Sequence, residues 1–277
     1  MVLNYKKAAV FYTDTATSNG TTIVLLHGFL ENASMWNEIS SELSKRNRIV
    51  TIDLLGHGRS DCLGYLHSME LFSETVEAVL KQLRIRKCIV IGHSLGGYVA
   101  LAFAERNPQK IKGLCLLNAT SNEDDQERKQ LRTRANMMIQ NNFTTMVRMS
   151  FTNLFSEVSR VNYADEIKNG LDEALKTSIQ GYIAGQEGMK LRPNRNHVLA
   201  KNDFKKMIIT GRKDPVLEIQ KSIEEAEKTN YKLIKELQEV MTNPYAEQLS
   251  EVEKKFYKEK PSEFFEVAGV SHVSCSS

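Results

Sequence analysis

Several features are scarce or missing in this chain, and each absence narrows what it does. No apolar run approaches the ~18 residues that a membrane span requires, so no membrane partner is expected. The opening Met-Val-Leu-Asn-Tyr-Lys-Lys has no apolar segment behind its charges, so no secretory signal is expected. Cysteine is limited to four residues, Cys62, Cys88, Cys115 and Cys275, with no Cys-x-x-Cys pair and no metal-like spacing. That argues against a disulfide framework or a metal site. Cys88 and Cys115 lie inside apolar runs, where cysteine behaves as a small buried hydrophobe. A dominant charge is missing too. The 37 basic and 34 acidic side chains leave a net charge of +3, too little to predict a nucleic-acid partner. The most basic stretch, Arg128, Lys129, Arg132 and Arg134, is interleaved with Glu127 and Gln130 and reads as a solvated helix face. Internal repeats and low-complexity segments are absent. What remains is a cytoplasmic globular protein with no expected cofactor. Its 277 residues are enough to bury a large α/β core.

Short apolar runs alternate with helical patterns through the first 120 residues. Thr22–Leu26, Arg48–Leu54, Cys88–Ile91 and Ile111–Leu117 are continuous rather than alternating, as strands buried on both faces should be. Met69, Phe72, Val76, Val79, Leu80 and Leu83 recur at helical spacing, with Ser68 placed to cap the helix and Glu70 in its first turn. This repetition predicts a mostly parallel α/β sheet with helices on both faces, and Ala8–Thr13 is expected as an antiparallel edge strand. The next strand is Lys206–Thr210. The segment between shows helical spacing in Met137, Met138, Phe143, Met146, Val147 and Phe151, and again in Tyr163, Ile167, Leu171 and Leu175. It reads as a helical cap, residues 121–200, inserted into a core of residues 1–120 and 201–277. Its Met and Phe stripe serves either plain packing or a substrate cavity.

The strongest chemical signal is Gly92-His93-Ser94-Leu95-Gly96, which ends an apolar run and precedes the helical pattern from Tyr98. A Gly-x-Ser-x-Gly between strand and helix is what a nucleophile elbow requires, with the serine on a strained turn and very small residues on either side. The helix beyond aims its first N–H groups at any anion formed there. Ser94 is therefore the candidate nucleophile. The second motif, His27-Gly28-Phe29, directly follows the first core strand.

With these two motifs the chain resembles the α/β-hydrolase superfamily, and in particular its small bacterial serine carboxylesterases. The resemblance implies an oxyanion hole made by the backbone N–H groups of Phe29 and Leu95, with His27 holding the loop. Asp53-x-x-Gly56-x-Gly58-x-Ser60 is similar to a turn of the same superfamily, so Asp53 and His57 are assigned structure rather than chemistry. Gly211-x-x-Asp214-Pro215 ends an apolar strand where the superfamily's triad acid commonly sits, and Asp214 is the candidate acid; an ordinary Asp-Pro turn is the alternative. The base should follow it, and His272 is the one histidine that does. Its context is a strand-like Phe264–Val267 followed by Gly269.

The tail, 231–277, departs from the family. A charged helical stretch is expected from about Leu233 to Tyr257, the connection from Asp214 to His272 is long, and no closing helix is expected after it. Tyr231–Ile234 is an alternative last strand. The implied activity is cleavage of a small carboxylic ester or thioester through an acyl-enzyme on Ser94. A C–C-bond or lactone hydrolase with the same triad, and a catalytically impaired binding member, are the alternatives.

Overall fold

The computed structural model describes residues 1–16, 20–211, 214, 216–217, 219–228 and 233–235. The chain opens with a hairpin of β1 (Val2–Tyr5) and β2 (Ala8–Asp14), antiparallel with Tyr5 opposite Ala8. Then follow β3 (Thr22–Leu26), α1 (Asn37–Ser44), β4 (Arg48–Ile52), α2 (Met69–Gln82), β5 (Cys88–His93), α3 (Leu95–Arg106) and β6 (Ile111–Leu117). Five helices come next: α4 (Gln126–Thr152), α5 (Glu157–Asn162), α6 (Ala164–Ala174), α7 (Ile179–Leu191) and α8 (Asn196–Lys201). The described chain closes with β7 (Lys205–Thr210), α9 (Ile219–Lys228) and β8 (Leu233–Lys235).

The eight described strands form one sheet in the order β1-β2-β4-β3-β5-β6-β7-β8. It is parallel from β4 through β8 and antiparallel at β1–β2 and β2–β4. Two of the expectations need correcting. Ala8–Asp14 is antiparallel but lies inside the sheet, because β1 pairs outside it. Leu233 opens not the expected helix but a strand that pairs with β7. The alternative last strand at Tyr231–Ile234 is the closer reading.

The central parts of the parallel strands are apolar because both faces are covered, and charged residues such as Arg48, Lys112 and Lys205 stand at or near the strand starts. Val24, Leu26, Val50, Val90 and Leu116 pack in one apolar cluster with α2 and α3, while Ile23, Leu25, Ile49, Ile89 and Leu117 pack with Trp36 on the other face. Ser68 caps α2 as its position demands, its hydroxyl accepting the Leu71 N–H at 3.2 Å. Cys88 and Cys115 are buried in strands, and burial pushes both thiols up to about 12.

The helical segment between β6 and β7 builds a third apolar cluster around Ile139, Val147, Phe151, Leu171 and Tyr182. Met137 and Met138 do not join it and face solvent. The buried stripe of α4 passes through Asn136, Ile139, Phe143 and Val147, so the two methionines fall between its turns, and Asn142 (φ −136°, ψ 33°) kinks the helix beyond them. This segment lies against the loops that follow β3 and β4. A Cβ on Gly181 would overlap the Gly56 carbonyl, and one on Gly188 would overlap that of His67. Among the described residues no helix is long and apolar enough to cross a membrane.

Candidate active site

Ser94 stands between the last residue of β5 and the first of α3, at φ 47°, ψ −112°. A non-glycine residue holds positive φ only where its surroundings over-determine it. Here the constraints can be named. The Ser94 N–H donates to the Leu117 carbonyl at 2.9 Å, and the Ser94 carbonyl accepts the Gly97 N–H at 2.9 Å. The flanking glycines leave no space for a side chain. A Cβ on Gly92 would overlap the Gly96 carbonyl group, and one on Gly96 would overlap the carbonyl oxygen of Leu26. The start of α3 is thus pressed onto the end of β3, where the His27-Gly28-Phe29 loop begins.

Gly96→Ala is therefore expected to cost about 3 kcal/mol or more, at the upper end of overpacking, because the obstacle is backbone. Urea unfolding of the variant beside the wild type measures it, and a loss under 1 kcal/mol would mean the strand and helix separate easily.

The carboxyl ends of adjacent strands carry the remaining candidates. The Asn118 N–H donates to the Ile209 carbonyl at 2.8 Å, and the Asn118 side chain accepts the Gly211 N–H at 2.9 Å. The loop with Asp214 is thereby tied to the end of β6, which is itself tied to the elbow. Asp214 Oδ1 accepts the N–H groups of Val216 at 2.7 Å and Leu217 at 2.9 Å. Leu95 opens α3, where the first N–H groups have no partner within the helix. Ser94, Leu95, Asp214 and the Phe29 loop thus gather at one edge of the sheet. His272, with Phe264–Val267 and most of the stretch to Tyr257, lies outside the described residues.

The other histidines of the loops hold structure. His27 Nδ1–H donates to the Gly28 carbonyl at 2.7 Å and its Nε2 accepts the Leu54 N–H at 2.9 Å. That bonding fixes a neutral tautomer, and burial pushes the ring down to about 4. Burial likewise pushes His57 down to about 3 and His67 to about 4. Asp53 is spent on the turn: its carboxylate accepts the Ala33 N–H at 2.7 Å and the Arg59 N–H at 2.9 Å.

These three rings make a prediction for acid stability. Each is neutral when folded and takes up a proton near 6.5 when unfolded, so the unfolded state binds more protons once pH drops below about 6.5. The stability they lend is complete above that value and is lost as pH falls towards 4 and then 3. Urea midpoints should therefore decline steadily from pH 7 to pH 4, and midpoints constant over that range would contradict the buried neutral rings.

One arrangement escaped the motif reading. The Glu31 carboxylate accepts the Gly28 N–H at 2.6 Å and the His93 Nδ1–H at 2.8 Å. Both side chains are largely buried, at 17% and 18% exposed. Burial opposes both charges, yet each holds the other: the His93 charge and hydrogen bond keep Glu31 below its ordinary range, and Glu31, with Asp214 behind it, lifts His93 above its own. Glu31 sits three residues beyond Gly28, and His93 occupies a variable place in the elbow, so neither carried a signal in the linear motif. Among the described residues no group of three or more metal-ligating side chains is found.

The model of a family described as alpha/beta hydrolase fold matches residues 21–246. Epoxide hydrolase 3 of Xenopus tropicalis is 33% identical over 110 residues, 39% of this chain and 30% of that protein. The pimeloyl-[acyl-carrier protein] methyl ester esterase of Nitrosomonas europaea is 34% identical over 105 residues, 38% of this chain and 39% of that protein. The match thus spans well under half the length of either curated relative. A thermophilic esterase from Thermogutta terrifontis shares the fold with a TM-score of 0.82 and 21% identity, over 97% of this chain and 98% of that one.

Proposed function

Because the chain belongs to the α/β-hydrolase fold family, we propose that it is a serine hydrolase cleaving a small carboxylic ester or thioester. The observation that carries this reading is the backbone of Ser94, held at φ 47° at the mouth of α3 by glycines that admit no side chain. Core packing gains nothing from such strain, whereas a nucleophile needs its hydroxyl lifted clear of the sheet.

In the proposed reaction Ser94 Oγ attacks the acyl carbon as a histidine takes its proton. The tetrahedral oxyanion rests on the N–H groups of Phe29 and Leu95. An N–H pair fixed before the charge appears is where such a site gains most. The imidazolium returns its proton to the departing alcohol or thiol, and water then cleaves the acyl-enzyme to the carboxylic acid. Asp214 is the acid proposed to orient the imidazole, and His272 is the proposed base. The helices of residues 121–200 are read as the cap. Their contact with the oxyanion loop, with Phe29 and Tyr182 ring centres 5.0 Å apart, supports a confined acyl site suited to a modest substrate. The similarity to a methyl ester esterase over 105 residues supports the ester class.

A fluorophosphonate probe tests the reading directly, since only an activated hydroxyl reacts at neutral pH. Labelling is expected at Ser94 alone, located by peptide mapping; a chain that stays unlabelled would refute the nucleophile.

A further inference from the structure

Phe29 and Leu30 both reach the apolar cluster of the helical segment, and Glu31 turns away from it. Leu30 is held at φ 64°, a conformation disfavoured for leucine, with its side chain buried in the apolar cluster of the helical segment. The same turn brings Glu31 back towards the sheet. There a single oxygen, Oε2, accepts the Gly28 N–H at 2.6 Å and the His93 Nδ1–H at 2.8 Å. Gly28 precedes Phe29, and His93 precedes Ser94. One carboxylate oxygen thus joins the residue before one proposed oxyanion donor to the residue before the proposed nucleophile. The seat is cut to fit: a Cβ on Gly28 would lie 2.5 Å from Glu31 Oε2 and 2.7 Å from His93 Nδ1.

We propose that the Glu31–His93 ion pair is a positioning latch for the ester cleavage assigned to Ser94, holding the oxyanion loop against the elbow while its imidazolium neutralises the carboxylate beside the hole. The inference rests on the Ser94 reading. Its physical core is charge. A carboxylate beside the place where an oxyanion forms would raise the barrier, and the paired cation cancels it. The charged groups facing His93 are Glu31, from the loop after β3, and Asp214, from the loop after β7; neutral His27 faces Glu31 from the end of β3. Both charges facing His93 are negative. Loss of its proton leaves them uncompensated, so turnover falls on the alkaline side as His93 titrates. A separate acid limb belongs to the catalytic base.

Glu31→Gln isolates the charge, because it keeps the length of the side chain and an oxygen to accept the Gly28 N–H. The measurements are kcat and KM for a nitrophenyl ester, and the rate of fluorophosphonate labelling of Ser94, each across pH 6 to 10. In the wild type both rates should show the alkaline limb. In Glu31→Gln the limb should vanish, with plateau kcat lowered about tenfold and KM within about twofold, less than the loss of an oxyanion donor itself. His93→Gln leaves the carboxylate bare and should cost about a hundredfold in kcat, and adding Glu31→Gln to it should restore about tenfold. Should His93→Gln not fold, the Glu31→Gln profile decides alone. A Glu31→Gln enzyme with the wild-type pH profile and kcat would overturn the latch and leave Ser94 standing. A wild type that the probe never labels would overturn the nucleophile, and the latch with it.

Discussion

Ser94→Ala should lower ester turnover by on the order of 10⁶, to a residue set by binding and the oxyanion donors alone. The expectation follows from division of labour: in the proposed reaction the hydroxyl forms the acyl-enzyme, and none of the described thiols is placed to replace it. Cys62, the half-buried thiol, belongs to the loop after β4 and lies near Ser178, and Cys88 and Cys115 are buried thiols pushed up to about 12. The variant should fold as the wild type does, because the elbow is held by the backbone of Ser94 and by the glycines rather than by the hydroxyl. Alanine bears the same positive φ with similar strain. Turnover and thermal midpoint must be measured on one preparation. Undiminished ester cleavage in a folded Ser94→Ala protein would place the chemistry elsewhere.

The parts that were readable from sequence share a physical cause. Strands buried on both faces have no polar alternation to preserve, so Thr22–Leu26, Cys88–Ile91 and Ile111–Leu117 stand out as mainly apolar runs without alternation. The elbow is legible because its glycines answer to overlaps with backbone that no side chain can relieve. The first hairpin was not legible. Its two-residue turn carries Lys6 and Lys7 at φ 50° and 72°, where Asn-Gly would have signalled the reversal. The apparent edge strand was therefore placed one position too far out. The Met137–Met138 pair misled because adjacent apolar residues fit a helical stripe only if its phase is known, and the phase here is set by Ile139 and Val147. The Glu31–His93 pair joins residues 62 positions apart. Charge pairing across a fold leaves no periodicity in the chain.

If the proposed triad holds, His272→Ala should cost nearly as much as Ser94→Ala, and Asp214→Asn about 10⁴, because nucleophile, base and orienting acid of such a triad act as one unit. The remaining histidines make the case for the base. His27, His57 and His67 are pushed down to between about 3 and about 4, too weakly basic to take a proton from serine near neutral pH. His197 pairs with Glu105, which stands eleven residues along α3 from Ser94, about 16 Å away at the rise of a helix. His93 is beside the nucleophile, but its Nδ1–H is committed to Glu31 and its charge is held by that carboxylate. Among the described histidines none is therefore proposed as the base, and His272, which lies outside them, is the residue the proposal names. The decisive measurement is the pre-steady-state burst of a nitrophenyl ester in each variant. Loss of the burst in both Ser94→Ala and His272→Ala, with substrate still bound, is the expected result. A normal burst in His272→Ala would remove that residue from the triad. It would leave His93 as the candidate base, whose bond to Glu31 would then have to open during the reaction.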